Sequence, residues 1–237
     1  MVEGIRAVAF DIDGTIYPTH RFYLKVWPYY LKNLKFFINF GKVRKELHRR
    51  AASLTRLDSS QKKDPAKSFY NEQSQLLAKK MHVSPEEAGR MIEDICYKGL
   101  VKYYTSVEPY ADALKVIYEI KASGLKVAIL SDFPPEQKGD IWGIKQYCDV
   151  ILGTEALGAL KPDPYSFKKM ADLLGVAPEK ILFVGNSRKY DVTGSKAAGM
   201  KSAYLLAWRY RIFKFLKVKN ADVTFSKYRQ LQDFVLK

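Results

Sequence analysis

Apolar positions along the chain fall into two regimes. From residue 107 onward, short apolar runs alternate with stretches of helical periodicity, the pattern of a mainly parallel sheet. Lys126 to Leu130 reads as a buried strand, Asp149 to Leu152 as a shorter one, and Ile181 to Val184 as a third. Ser202 to Leu206 and Asp222 to Phe225 supply two more. Tyr110 to Ser123, Asp163 to Leu174 and Asp191 to Ala198 have helical spacing, and each stops at a glycine suited to close a helix: Gly124, Gly175 and Gly199. Lys227 to Leu236 reads as a last helix. One more strand, around Val8-Ala9-Phe10, comes before all of these. Residues 17–106 separate it from the rest and follow the other regime. They contain no alternating strand, and helical stretches are expected at about 22–40, 42–56, 64–81 and 85–103. Ser84-Pro85-Glu86-Glu87 opens the last of these with a capping box and a proline at the first helical position. The pattern predicts an α/β core made of 1–16 and 107–237, with a helical block, 17–106, inserted after the first strand.

Composition narrows this picture. A chain of 237 residues, 47% hydrophobic and 27% charged, can bury a core and is globular rather than disordered. Its cysteines, Cys96 and Cys148, form neither a disulfide framework nor a CxxC pair, so a reducing cytoplasm is the expected compartment. The N-terminus runs directly into the first strand, which leaves no room for a signal peptide, and no apolar run approaches a membrane span.

The formal charge of +15 is unevenly placed. Residues 17–106 carry 18 Lys/Arg against 8 Asp/Glu, and residues 207–219 carry five basic residues and no acidic one. The remaining pieces sum to zero. Three readings stay open. The basic residues attract an anionic substrate; they bind nucleic acid or an acidic membrane surface, together with the basic and aromatic segment Arg209 to Lys217; or they are solvated faces.

The candidate chemistry lies at strand ends, where open α/β sheets bind their ligands. Asp11 and Asp13, spaced i and i+2 and followed by Gly14-Thr15, end the first strand. Ser131-Asp132 follows Leu130, Lys161-Pro162-Asp163-Pro164 precedes a helix, and Gly185-Asn186 through Asp191 follows Val184. Taken alone, each has a plain reading: Asp-Gly as a turn, Ser131 as a cap, Lys161 as a solvated loop lysine, Asp191 as a helix cap. Taken in order, the four blocks resemble the haloacid dehalogenase-like (HAD) superfamily over nearly the whole length.

The resemblance implies a Rossmann-like core with a helical cap of the C1 kind between the first and second motifs. It also implies roles. Asp11 resembles the nucleophile that forms an aspartyl-phosphate, and Asp13 the general acid and base. Ser131 and Lys161 correspond to groups that bind and neutralise the phosphoryl group, alongside Gly14, Thr15 and Asp132. Mg²⁺ is the implied cofactor, with Asp11, Asp13, Asn186 and Asp191 as the expected ligand set. Asp13 favours phosphate esters over halides, because a halide leaves without a proton. The expected function is therefore hydrolysis of a small phosphorylated metabolite.

Asn186 departs from the family pattern, which has an aspartate there. An amide oxygen can ligate a hard cation but brings no negative charge. That keeps two alternatives open: a HAD-fold protein with impaired catalysis that binds an anion, nucleic acid or protein, and a phosphosugar mutase. Arg21, Lys25 and the aromatics Phe22, Tyr23, Trp27, Tyr29 and Tyr30 lie nearest the hinge, and are read either as substrate contacts or as packing of the cap bundle. His20, His48 and His82 have no metal-ligand spacing and receive no role.

Overall fold

The computed structural model describes residues 4–52, 64–206 and 218–237, and its centre is one parallel sheet. The strands are β1 (Ala7–Phe10), β2 (Lys126–Ser131), β3 (Val150–Gly153), β4 (Ile181–Gly185), β5 (Lys201–Leu205) and β6 (Val223–Phe225), in the spatial order β3-β2-β1-β4-β5-β6. The order reverses between β1 and β4, so the crevice expected for a ligand opens beyond Phe10 and Gly185. Both faces of the central strands are covered, which is why they read as unbroken apolar runs. Ala7 and Ala9 turn toward Phe167, Met170 and Leu174 of helix α7 (Pro164–Leu174). Val8 and Phe10 turn to the opposite face and join the larger apolar cluster.

The helices of the core follow their local signals. Asp163 caps α7 by accepting from Tyr165 N, Pro164 opens it, and Gly175 at φ +62° closes it. Helix α6 (Ala113–Ala122) starts three residues later than the periodicity suggested, because Asp112 is left-handed at φ +63°. Arg188–Val192 forms a π-helical turn that leads into α8 (Thr193–Ala197), and α9 (Tyr228–Leu236) packs beside α6.

Between β1 and β2 lie α1 (Thr19–Lys32), α2 (Leu34–Ala52), α3 (Pro65–Met81), α4 (Pro85–Met91) and α5 (Val101–Tyr104). Two boundaries differ from expectation. The first two helices part at Asn33 rather than at Gly41, since the Asn33 amide donates to Tyr29 O and competes with continuation of the helix. The expected helix over 85–103 is not uniform. After Met91 it widens into a π-helical segment, Ile92–Lys98, where the Tyr29 hydroxyl donates to Ile95 O. A Cβ at Gly99 would lie 2.0 Å from that hydroxyl, so the inserted tyrosine and the glycine require each other. Residues 53–56 of the second expected helix lie outside the described residues, as do Arg209 to Lys217.

The inserted helices are not an independent ball. Phe22, Val26, Phe36 and Leu47 share one apolar cluster with Val8, Phe10 and Ile129 of the sheet. Among the described residues no helix is long and apolar enough to cross a membrane.

Candidate active site

Two loops built on glycines bring the carboxylates together. After β1 the chain turns at Gly14, φ +86°, with Thr15 N and Ile16 N both donating to Ile12 O. A Cβ at Gly14 would sit 2.2 Å from Asn186 Nδ2, so only glycine lets the β1 and β4 loops touch. After β4, a Cβ at Gly185 would lie 2.4 Å from Asp191 Cβ, and its absence lets Asp191 fold back beneath the loop. There Asp191 Oδ2 accepts from Asn186 N at 3.1 Å and from Ser187 N at 2.8 Å.

Lys161 is the hub. Its ammonium is buried and donates to Asp11 Oδ1 at 2.7 Å and Asp191 Oδ1 at 2.8 Å. Burial works against the charge on Lys161, but Asp11, Asp191 and Asp132 outweigh it and hold the amine well above its ordinary value. Burial pushes the Asp11 carboxyl up to about 7, opposed by Lys161 and reinforced by Asp191 and Asp13. Thr15 Oγ1 donates to Asp11 Oδ2 at 3.0 Å and lies 3.4 Å from Asn186 Oδ1. Asp11 is thus pinned through both oxygens.

Asp13 is held differently. The Tyr17 hydroxyl donates to its Oδ1, and Lys138 Nζ lies 3.3 Å from its Oδ2. Ser131 Oγ is buried and has no hydrogen-bond partner among the described residues. The Asp132 carboxylate is already engaged: Thr154 Oγ1 donates at 2.7 Å and Lys161 N at 3.1 Å, and His48 Nε2 stands 3.7 Å away. Its charge therefore faces donors within the fold, so its expected part in phosphate binding narrows to its backbone.

The structure gathers Asp11, Asp13, Asp132, Lys161, Asn186 and Asp191 around a cavity of about 130 Å³. It adds three residues that sequence reasoning missed. Arg44 and His48, one turn apart on α2, line the same cavity. Their i, i+4 spacing puts both on one helix face, but Lys45 and Arg49 share that spacing, so the sequence does not single them out. His48, left without a role above, bonds Lys161 O through Nδ1 at 2.8 Å and stacks on Tyr190 at 4.3 Å, and burial lowers its pKa. Arg44 is clamped by Glu155 and by Gln73 Oε1 at 3.0 Å, with its guanidinium 4.4 Å from the centre of the Phe133 ring. Tyr97 donates to the other Glu155 oxygen at 2.7 Å. Lys138, the third, is buried on a short 3-10 turn whose sequence carries no functional signal.

The charges suit a divalent cation. Three carboxylates, Asp11, Asp13 and Asp191, pair with two lysines, Lys138 and Lys161, while Asp132 stands beside His48 and Glu155 answers Arg44. Asp11 Oδ2 and Asn186 Oδ1 converge on one hydroxyl, an all-oxygen set suited to a hard ion. Among the described residues no three acidic, histidine or cysteine side chains form a ligand group on their own. Asp191 spends both oxygens on Lys161 and on loop amides, and so anchors the loop from inside.

The chain is similar to known proteins in sequence and in fold. Glyceraldehyde 3-phosphate phosphatase of Methanocaldococcus jannaschii is 23% identical, over 98% of this chain and 97% of that protein. Phosphoglycolate phosphatase of Aquifex aeolicus is 34% identical over 106 residues; that match covers 44% of this chain and about half (49%) of the Aquifex protein. A HAD phosphatase from Thermococcus onnurineus superposes with a TM-score of 0.62 at 20% identity, covering 98% of each chain. So does L-2-haloacid dehalogenase from Xanthobacter autotrophicus with chloropropionic acid covalently bound, at the same TM-score, identity and coverage. A protein described as a HAD-hydrolase from Bacillus subtilis, bound to magnesium, gives 0.66 at 16% identity over 98% of this chain and 99% of that one. The model of the haloacid dehalogenase-like hydrolase family matches residues 5–199, and the chain belongs to that family.

Proposed function

We propose that the protein is a Mg²⁺-dependent phosphatase acting on a small phosphate monoester through an aspartyl-phosphate on Asp11. The observation that carries this reading is the second carboxylate. Asp13 lines the catalytic cavity, held by Tyr17 and Lys138, where it can exchange a proton with a leaving oxygen. Halide chemistry needs no such group.

Asp11 attacks phosphorus while the P–O bond to the alcohol breaks, and Asp13 gives the departing oxygen its proton. Asp13 then takes a proton from the water that attacks the acyl-phosphate, which frees phosphate and restores Asp11. Lys161 and the Ser131 hydroxyl, buried and without an internal partner, meet the phosphoryl oxygens, so catalysis is mainly positioning and electrostatics. Asp11, Asn186 and the backbone oxygen of Asp13 would hold Mg²⁺, which supplies positive charge against the transferring group.

The rival reading is a HAD-fold binding protein with little turnover, favoured by the neutral amide at position 186. Hydrolysis of an aryl phosphate and a phosphometabolite panel decides between them. Mg²⁺-dependent activity abolished in Asp11→Asn supports the phosphatase. Activity that appears only in Asn186→Asp overturns it.

A further inference from the structure

A second cavity opens beside the catalytic one. It has a volume of about 350 Å³, within the range of small-molecule sites. The two cavities meet at Asp13, Arg44 and Phe133, which line both. The catalytic cavity, about four water volumes in size, holds a phosphoryl group and little more. Whatever alcohol the phosphate is attached to must therefore extend past Asp13 into the second cavity.

The walls of that cavity are unlike those of the first. Of fourteen lining residues eight are aromatic, and the only charged ones, Asp13 and Arg44, stand at the shared end. Arg44 is already matched by Glu155. Burial pushes the Cys96 thiol up to about 12 and the Tyr30 and Tyr104 hydroxyls upward, so these polar atoms stay uncharged. Beyond the junction nothing among the lining residues meets a second anion or a row of sugar hydroxyls with charge. The outer wall is formed by Tyr23, Tyr30 and Phe37, the last two stacked at 3.9 Å. Tyr23, 55% exposed, and Tyr30 share a face of α1 with Trp27, 61% exposed, so the apolar surface continues outward from the cavity.

On the phosphatase reading above, we infer that the substrate is the phosphate monoester of a hydrophobic alcohol, aryl or alkyl, whose apolar group occupies the cavity between α1, α2 and Phe133. Short anionic esters such as those named for the relatives would set a charged or hydroxylated end against this aromatic wall and leave most of the cavity unfilled.

The test is a chain-length series on the full chain with Mg²⁺. The kcat/KM values for ethyl to octyl phosphate, and for phenyl phosphate, are compared with those for 2-phosphoglycolate, glyceraldehyde 3-phosphate and pyrophosphate. In parallel, calorimetry measures binding of methyl- to octylphosphonate, which cannot be turned over. The expected result is a rise of about fourfold per methylene over the first several carbons, in both kcat/KM and affinity. Phe37→Lys, which puts a cation on the wall, should flatten that slope and shift preference toward 2-phosphoglycolate. If this variant does not fold, the wild-type series decides by itself. Turnover with a flat series, or with small anions preferred, overturns the inference and leaves the phosphatase reading standing. Phosphonate affinity that climbs with chain length but without turnover of any ester supports the pocket and overturns the phosphatase. Absence of both binding and turnover overturns both.

Discussion

The two cavities that meet at Asp13 are built by opposite rules. The catalytic one lies at the ends of β1, β2 and β4, and its side chains are locked to one another: Lys161 to two carboxylates, Asp191 to two loop amides, Asp11 to Thr15. The aromatic one lies mostly on faces of α1 and α2 and is held by ring packing, with Phe22 stacked on Tyr104 at 4.6 Å and Tyr30 on Phe37. On the phosphatase reading, the first would set the reaction and the second what is brought to it, and apolar substitutions of similar volume in the second should change its preference at small cost in stability.

The sharpest way to break this comparison is at Asp11. Asp11→Asn should lower kcat by about 10⁴-fold or more, measured as phosphate release, since it removes the attacking group. The next largest effect falls on the partition between the cavities. Arg44→Met leaves Glu155 buried without its cation and should cost roughly 3–5 kcal/mol in urea unfolding, with Arg44→Met/Glu155→Gln recovering part of the loss. Asn186→Asp adds a charge to the ligand set and should tighten Mg²⁺ binding roughly 10- to 100-fold by calorimetry, with the slope of the alkyl series unchanged. Tyr17→Phe removes one donor to Asp13 and should lower kcat only about three- to tenfold.

Acid gives a finer probe of the locked cavity. Burial alone would raise the Asp132 carboxyl, but Lys161, His48, Arg44 and the Thr154 hydroxyl outweigh it and hold it below its usual value. A carboxyl depressed by folding contributes stability that is present above its unfolded pKa, about 3.9, and lost as pH falls through the folded value. Asp132→Asn should therefore flatten the fall in unfolding free energy that sets in near the unfolded value of about 3.9 and continues as pH drops toward the lower folded value. An unchanged acid limb would show that the carboxylate is not held as described.

The same contrast explains what was legible in the sequence. Strand ends advertise themselves: an apolar run stopping at Asp11, at Ser131 or at Gly185 leaves its polar residues at the carboxyl edge of the sheet, so six strands could be read off, and the resemblance of the ordered blocks to the HAD superfamily joined them with Lys161 into one expected site. Residues that act from helix faces give a weaker signal. Arg44 and His48 sit in a segment rich in basic residues, and nothing local separates them from Lys42 or Arg49. Lys138 is placed by a turn after Pro134-Pro135, and only tertiary packing buries it. The aromatics Phe22 to Tyr30 stood open between substrate contact and bundle core, and the fold places some of them in the core and some on the wall of the second cavity. Phe22 is 5% exposed within the core cluster and still forms wall, while Tyr23 stands half in solvent. The break at Asn33 and the π-helical widening at Ile92–Lys98 depended on one amide and one inserted tyrosine, choices that periodicity does not record.

Trp142 turns the hinge into an optical instrument. Its indole N–H donates to Val107 O at 2.7 Å, where the chain returns from the helices to the sheet, and its ring centre lies 5.4 Å from that of Tyr17, the residue that holds Asp13. Any swing of the helices that parts this junction must wet the indole and shift its emission to the red. Trp27, already in water, would stay silent. In a Trp27→Phe/Trp208→Phe background, stopped-flow fluorescence on mixing with a phosphonate would report any such parting without a label.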